Sequence, residues 1–267
     1  MKMSDSLPSY AIRLQALHEA LEDDFRQIVR HLPDQSLRAI DVGCGDGFFT
    51  KLLSEVQAEV TGIDNSDAYL KEARKKSGAV GNIRFVNADV CDLPFDDGSV
   101  DVVWSAHSMH SYPDIRKALR EFRRVARPGG LLAVLESDNI HSVMLSSPPD
   151  LELAIRQAEH REIGDEDSYI GTYFPRFAMQ LFAEAGFTGF RREQCLITRF
   201  GPAAEALSKF VELYLKDLLE RTEKLLSDKM CRRLGSLADP RSPEFLPHKR
   251  DFAFSSLQTL MLGRASE

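Results

Sequence analysis

Apolar residues recur along this chain at two spacings, and segments of the two kinds alternate. Short apolar runs such as Leu37–Val42 and Val100–Ser105 predict buried strands. In Phe48–Val56 and Asp114–Ala126 the apolar residues return every three or four positions, which predicts amphipathic helices. Repetition of such strand–helix pairs between residues 37 and 136 predicts a parallel, doubly wound α/β sheet.

Three more strands and two more helices complete this pattern. The strands are predicted over Ala58–Asp64, Ile83–Ala88 and Leu131–Glu136, and the helices over Tyr10–Leu32 and Asp67–Lys76. Ligands of such sheets bind beyond the carboxyl ends of the strands. The residues that follow each predicted strand are therefore the candidates for a site.

A turn rich in glycine follows the first predicted strand. The segment Asp41–Gly47 reads Asp-Val-Gly-Cys-Gly-Asp-Gly, so a carboxylate precedes a turn with few side chains. Strand, glycine turn and helix together let backbone approach a ligand at a helix N-terminus. The dinucleotide-binding fingerprint would require glycine at Phe48 or Thr50, which counts against a nicotinamide cofactor.

The second predicted strand ends in Asp64, which stands 19 positions after Gly45. In a Rossmann-like sheet this is where a carboxylate meets the ribose hydroxyls of a nucleotide, accepting a hydrogen bond from each. A helix cap is the alternative role for such an acid. Ser66 or Asn65 is predicted to cap the helix that follows.

Further motifs occur in order along the same stretch. Residues 88–95 read Ala-Asp-Val-Cys-Asp-Leu-Pro-Phe, and residues 124–130 read Arg-Val-Ala-Arg-Pro-Gly-Gly. With the glycine turn and Asp64, they make residues 37 to 136 resemble the class I S-adenosylmethionine (SAM) dependent methyltransferases. The likeness is to the small-molecule group related to ubiquinone and menaquinone biosynthesis enzymes.

The resemblance implies SAM as cofactor and S-adenosylhomocysteine as product. It implies that Asp89 faces the adenine amino group and that the Val90 N–H meets a ring nitrogen, whereas the alternative for Asp89 is a turn-forming role. The cofactor-binding residues predicted in this way are Asp41, Gly43, Cys44, Gly45, Asp64, Asn65, Asp89, Val90 and Ser105.

The resemblance also implies a Rossmann-like, seven-stranded, mostly parallel sheet whose last strand, Leu257–Gly263, is antiparallel. Pro175–Ala185 and Phe187–Thr198 are the expected preceding helix and strand, and a helix is predicted around Asp150–Glu162. The expected segments are an N-terminal helical cover (1–36), the SAM-binding core (37–136), an insertion or lid (137–173), a core continuation (174–200), a helical insertion or lid (201–252), and a final strand and tail (253–267).

The longer insertion contains a predicted amphipathic helix, Ala203–Ser227. Its apolar stripe has three interpretations, which are packing on the core, a lid over an apolar substrate pocket, and a homodimer interface. The lid interpretation favours a small, partly apolar substrate.

Methyl transfer requires a nucleophile in line with the S–CH3 bond, and a base assists when the substrate is a hydroxyl, phenol or carbon acid. His107 and His110, just after the fourth predicted strand, are the candidate catalytic residues. A hydrogen-bonded loop histidine is the alternative role for His107. Glu136, Asp138 and His141 after the fifth strand could also approach the pocket, but no metal site is predicted.

Composition narrows the class of protein. The 267 residues include 34 basic and 41 acidic side chains, a net charge of −7 that argues against a nucleic-acid partner. The 4 scattered cysteines argue against a disulfide framework. Neither a signal-peptide core nor an apolar run of ~20 residues is evident, so we expect a cytoplasmic protein without a membrane span.

The leading interpretation is therefore a methyltransferase of the EC 2.1.1 class with a small-molecule substrate. A SAM-binding protein without methyl transfer, such as a sensor or a partner subunit, would keep the same glycines and acids. A nicotinamide-dependent oxidoreductase on the same sheet is the third alternative.

Overall fold

The computed structural model of the protein describes residues 9–32, 37–78, 80–137, 140, 143–144 and 147–267. The chain divides into two units of dense internal contact. The sheet unit comprises Arg26–Asn139, Asp165–Cys195 and Leu257–Glu267, and the helical unit comprises Met1–Phe25, Ile140–Gly164 and Leu196–Ser256.

Strands β1 to β8 build the sheet, in the order β3-β2-β1-β4-β5-β8-β6 with β7 also paired to β8, so the short strand β6 adds an eighth strand to the seven predicted. Neighbours from β3 to β5 are parallel, and β8 is antiparallel to β5. The predicted Rossmann-like sheet with an antiparallel last strand is thus confirmed. The strands are β1 Arg38–Val42, β2 Glu59–Asp64, β3 Ile83–Asn87, β4 Val100–Ala106, β5 Ala126–Ser137, β6 Val143–Met144, β7 Phe187–Phe200 and β8 Ala253–Ala265.

Ten α-helices lie in the described residues, and most agree with the predicted periodic segments. Ser66 caps α4, since its hydroxyl accepts a hydrogen bond from the Tyr69 N–H. The helices are α1 Ser9–Ala20, α2 Glu22–Val29, α3 Phe48–Ser54, α4 Asp67–Ser77, α5 Ile115–Val125, α6 Pro149–Glu162, α7 Glu166–Thr172, α8 Phe174–Glu184, α9 Glu205–Thr222 and α10 Asp228–Ala238.

The N-terminal helix predicted as one segment is two helices that meet at Leu21. The hydrogen bonds from Leu21 N–H to Leu17 O and from Phe25 N–H to Leu21 O continue the helical pattern across the break, which is why the apolar spacing continues through it. Three acids begin α2 and stabilise its new N-terminus.

The core of the sheet unit lies where α5 and α8 pack by the central strands. Phe122 of α5 and Phe174 and Phe182 of α8 are fully buried with Val103 and Val134 of the strands. Burial of each such side chain stabilises the fold by about 1.5–3 kcal/mol. This packing holds β4 and β5 side by side, and the loops after them carry several of the predicted site residues.

The helical unit forms around α9. Helices α1, α6 and α10 contact it. Most of the apolar stripe predicted for this segment is buried in α9, but Leu225 lies beyond the end of that helix and is exposed. In the same unit β6 pairs with Phe254 and Ser255 at the start of β8. No helix among the described residues is long and apolar enough to cross a membrane.

In the sheet unit α7 packs against the short 3₁₀ helix Met109–Ser111, which follows β4. Gly171 lies at the contact, where a Cβ atom would stand 2.6 Å from the Cα of His110 and 3.0 Å from the carbonyl oxygen of Met109. These are backbone atoms, which cannot rotate away. The absence of a side chain at Gly171 therefore lets α7 approach the loop that contains His110.

We expect Gly171→Ala to lower the free energy of unfolding by about 1–3 kcal/mol, because the added methyl group overpacks a backbone contact. The measurement is the urea midpoint and slope at neutral pH. Gly235→Ala in α10 is the matched control, since a Cβ there meets only Leu219 Cδ2 at 3.8 Å and alanine favours a helix. Equal effects of the two substitutions would contradict the tight contact.

Candidate functional site

The parallel register places the predicted site residues on one edge of the sheet. Asp41 of β1 is level with Gly62 of β2 and Trp104 of β4, and Asp64 is level with Asn87 at the end of β3. The segments that follow these strands therefore leave the sheet on the same side. We call this edge the carboxyl rim.

The glycine turn is packed on one side and open on another. Gly43, Gly45 and Gly47 have φ values of +73°, +52° and +80°, a region that favours glycine. A Cβ at Gly43 would lie 2.8 Å from the Cβ of Ser108 and 3.0 Å from the Tyr112 hydroxyl, whereas one at Gly45 would meet nothing within 4 Å. The backbone at Gly45 is thus accessible to a ligand.

Asp64 is attached to this turn. Its Oδ2 accepts a hydrogen bond from the Gly45 N–H at 3.0 Å, and its Oδ1 accepts one from the Ser66 N–H at 2.9 Å. Burial raises the pKa of this carboxyl, and the two N–H groups oppose that rise. Each oxygen keeps further acceptor capacity. The pairing of an open glycine with a half-buried carboxylate fits a ribose-bearing cofactor.

Asp41 is buried below the turn, where the Thr50 hydroxyl donates to its Oδ2 at 2.5 Å. Burial, aided by the nearby Asp64 carboxylate, raises the pKa of Asp41 to about 7. Burial and the Asp41 carboxyl also raise the pKa of the Cys44 thiol well above its usual value. Cys44 therefore stays a protonated, buried thiol and is not a nucleophile at neutral pH.

The segment after β3 contains the two residues predicted to meet adenine. Asp89 is exposed, and its Oδ1 accepts a hydrogen bond from the Cys91 N–H at 2.8 Å. The turn-forming role given above as the alternative for Asp89 is therefore present. Val90 is half-buried beside it, and Asn65 is exposed next to Asp64.

A buried group of hydroxyls links β4 to the glycine turn. The Ser105 hydroxyl lies 2.8 Å from that of Ser108 and 2.9 Å from that of Tyr112. The Tyr112 hydroxyl donates to the carbonyl oxygen of Val42 at 2.9 Å. Ser105 thus supports the turn from inside the protein. Sequence reasoning missed Ser108 and Tyr112, although their hydroxyls closely follow an apolar strand.

Glu136, at the end of β5, holds the same loop from the other side. Its Oε1 accepts hydrogen bonds from the N–H groups of Ser108 and Met109, at 2.9 and 3.0 Å. The carboxyl is 5% exposed, and burial raises its pKa to about 7 against the opposing effect of those N–H groups. Asp138 and His141, the other candidates after this strand, lie outside the described residues.

The two candidate histidines have different surroundings. His107 is buried, and its Nε2 lies 2.9 Å from Oε1 of Gln258 on β8. Its φ of +50° is unusual for a residue with a side chain and costs roughly 1–3 kcal/mol. Burial lowers the pKa of His107 more than the bond to Gln258 raises it, so the ring is neutral at pH 7. His110 is exposed on the 3₁₀ helix.

Aromatic packing fixes the surroundings of His107. Its ring meets that of Phe49 edge to face with centroids 5.7 Å apart, and Phe49 also contacts Trp104. Within the part of the chain that the structure describes, no three His, Cys, Asp or Glu side chains are grouped as a metal site. The carboxyl rim thus presents carboxyls, hydroxyls and a neutral imidazole.

Comparison with known proteins finds methyltransferases among those similar to this chain. Residues 40–134 match the protein family described as methyltransferase domain. The demethylmenaquinone methyltransferase of Staphylococcus aureus strain MRSA252 is 38% identical over 106 residues, which are 39% of this chain and 44% of that relative. The match thus spans less than half of the relative's length.

Two solved structures illustrate the likeness of fold. A putative methyltransferase from Bacillus halodurans C-125 has a TM-score of 0.58 at 16% identity, over 91% of this chain and 98% of that one. The [4+2]-cyclase SpnF has a TM-score of 0.53 at 17% identity, over 92% and 82%. At these identities the structures show the fold alone. Together with the family match, they confirm the predicted resemblance to class I SAM-dependent methyltransferases.

The raised pKa of Glu136 makes the stability of the protein depend on pH. The folded protein keeps this proton up to about pH 7, whereas the unfolded chain loses it near the ordinary value of 4.5, so the stabilisation from this group is lost as pH rises through that window. We expect the free energy of unfolding of Glu136→Gln to rise by roughly 2–3 kcal/mol relative to that of the wild type as the pH increases from 4.5 to 7.5.

Urea denaturation of both proteins at half-unit pH steps measures this difference. The titration of Asp41 affects the stability of both proteins equally, so its contribution cancels in the difference. Glu220→Gln, at an exposed position of α9, controls for the loss of one negative charge. Parallel stability curves for wild type and Glu136→Gln would show that folding does not raise the pKa of this carboxyl.

Proposed function

We propose that this protein is a SAM-dependent methyltransferase that transfers a methyl group to a small, partly apolar molecule by direct in-line displacement. The observation that carries the proposal is the open backbone at Gly45, held beside the Asp64 carboxylate by a hydrogen bond of 3.0 Å. The methyltransferase-domain match over residues 40–134 covers this site and supports the choice of cofactor.

In this proposal the cofactor's hydroxyls bind to Asp64, and its polar end lies against the backbone of Gly43 and Gly45. Asp89 and the Val90 N–H bind the adenine edge. When bound, SAM supplies an electrophilic methyl carbon on a sulfonium, and S-adenosylhomocysteine is the product. The contribution of the protein is to orient the nucleophile and to exclude water, which can supply roughly 7–11 kcal/mol of the barrier.

His107 is the proposed proton acceptor for a hydroxyl, phenol or carbon-acid substrate. A base must be unprotonated before it acts, and burial keeps this imidazole neutral at pH 7. His110 is the alternative base, and its side chain is exposed on the 3₁₀ helix. A carboxylate or neutral amine substrate would not need either histidine.

An apolar substrate is supported by the surroundings of His107. The edge-to-face contact with Phe49 gives the histidine an aromatic neighbour on the rim side of α3. The relative from Staphylococcus aureus is named for demethylmenaquinone, but it matches only 39% of this chain. We therefore propose the class of substrate and not that compound. The cytoplasmic location and the homodimer stay predictions from the sequence.

Calorimetric titration with S-adenosylhomocysteine tests the cofactor. We expect Asp64→Asn to weaken binding roughly 10- to 100-fold, because a hydrogen bond to a charged group contributes about 1.5–3 kcal/mol. Glu59→Gln is the matched control, because Glu59 lies at the other end of the same strand, away from the carboxyl rim. Preferential binding of NADH would instead revive the oxidoreductase interpretation.

Transfer itself is tested with methyl-labelled SAM and a panel of small phenols and quinols. Labelled product that disappears in His107→Phe, with unchanged binding of S-adenosylhomocysteine, is the expected result. Cofactor binding without turnover on any nucleophile would favour a SAM-binding protein that transfers no methyl group.

A further inference from the structure

We infer that Glu121 and Arg124 of α5 are positioning residues for adenine recognition, because they fix the segment that presents Asp89 and the Val90 N–H. We call this segment, residues 88–99 between β3 and β4, the adenine connection. The inference rests on the proposed SAM-dependent methyl transfer and deepens it. It gives a role to Arg124, the first residue of the stretch Arg-Val-Ala-Arg-Pro-Gly-Gly.

The adenine connection contains no helix, and the structure describes all of its residues. Its backbone polar groups therefore need partners other than those of a helix. At its start, the Ala88 N–H donates to the carbonyl oxygen of Asp64 at 3.2 Å, which places the connection beside the residue proposed to bind ribose. The Asp92 N–H then donates to the carbonyl oxygen of Asp89 at 3.0 Å and closes a tight turn.

Two side chains of α5 hold the connection directly after this turn. Glu121 Oε2 accepts a hydrogen bond from the Leu93 N–H at 3.0 Å, and Arg124 Nη2 donates to the Leu93 carbonyl oxygen at 2.9 Å. Arg124 Nη1 also donates to the carbonyl oxygen of Phe95 and to Oδ1 of Asp97, at 2.8 Å each. One ion pair therefore fixes both backbone polar groups of Leu93, and the turn ends at the residue before it.

The ion pair has a well-defined geometry. Glu121 and Arg124 are three positions apart on α5, a spacing that puts two side chains on the same face of a helix. Arg124 Nε and Nη2 donate to the two Glu121 oxygens at 2.9 and 2.8 Å, a bidentate arrangement that restricts the orientation of both side chains. These bonds lower the pKa of the Glu121 carboxyl, so the pair stays charged at neutral pH.

The contacts of Arg124 lie in the part of the connection that leads away from the carboxyl rim. The Gly98 N–H donates to the carbonyl oxygen of Arg124 at 2.9 Å, two residues before β4 begins. Asp64 is instead held by the N–H groups of Gly45 and Ser66. The ion pair therefore acts on the proposed adenine contacts, whereas the ribose contact depends on a different set of bonds. Ligands that differ only in the base can separate the two.

Calorimetric titration with two such ligands tests this role. S-inosylhomocysteine presents an oxygen and an N–H where the adenine of S-adenosylhomocysteine presents an amino group and a ring nitrogen, so it can make neither proposed contact. We expect the wild type to prefer S-adenosylhomocysteine roughly 10- to 100-fold. Arg124→Gln should lower that preference roughly 3- to 10-fold by weakening S-adenosylhomocysteine alone. Arg120→Gln, at an exposed position of the same helix, should leave it unchanged.

A double-mutant cycle shows whether Arg124 acts through the adenine contacts. In an Asp89→Ala background, Arg124→Gln should lower the preference less than it does alone, because one of the two contacts that it positions is already missing. Fully additive effects would show that the two residues act independently and would overturn the inference. Glu121→Gln keeps the size of the side chain and should act in the same direction as Arg124→Gln. Urea denaturation shows that each variant is folded, and Glu121→Gln decides if Arg124→Gln is not.

The outcomes separate this inference from the proposed function. Equal weakening of both ligands in the α5 variants would show a purely structural role, and unchanged binding of both would show no role in the site. Either result would overturn the inference alone, and so would a wild type that binds the two ligands equally, a measurement that needs no variant to fold. Failure of the wild type to bind S-adenosylhomocysteine would overturn the proposed function and this inference with it.

Discussion

The hydrogen bond from the Tyr112 hydroxyl to the carbonyl oxygen of Val42 is the contact on which the carboxyl rim depends. It satisfies the last carbonyl of β1 at the point where the chain leaves the sheet and enters the glycine turn. Because Tyr112 and Ser108 occupy the space that a side chain at Gly43 would need, the turn and the loop after β4 fix each other. Glu136 completes the arrangement by holding the Ser108 N–H. An unsatisfied carbonyl here would be costly, since buried polar groups need partners.

The sequence predicted those parts of the site that depend on local chain geometry. The glycine turn, Asp64 at a strand end and the Ser66 cap each follow from a few neighbouring residues, and the structure contains each of them. Gln258 could not be predicted, because its contact with His107 joins positions 151 residues apart and depends on the register of β8 against β5. The break at Leu21 was missed for the opposite reason, since the apolar spacing continues through it.

The family match ends at residue 134, just before the residues that distinguish this rim. Glu136 follows it by two positions, and Gly171 and Gln258 come from segments much further along the chain. The shared stretch contains the glycine turn, Asp64 and the aromatic neighbours of His107, whereas Gln258, which bonds to the His107 ring, comes from outside it. A fold in common with SpnF shows how little the sheet alone decides about chemistry.

The distance in sequence between His107 and Gln258 also has a consequence for biosynthesis. Ribosomes add about 5–20 residues per second, so the 151 residues that separate the pair take roughly 8–30 s to make. The parallel strands β1 to β5 can assemble during that time, because every one of them precedes β6. The His107 imidazole therefore meets the Gln258 amide only after all five parallel strands have been synthesised. A nascent chain would therefore complete the glycine turn and its bond to Asp64 before the surroundings of His107 are complete.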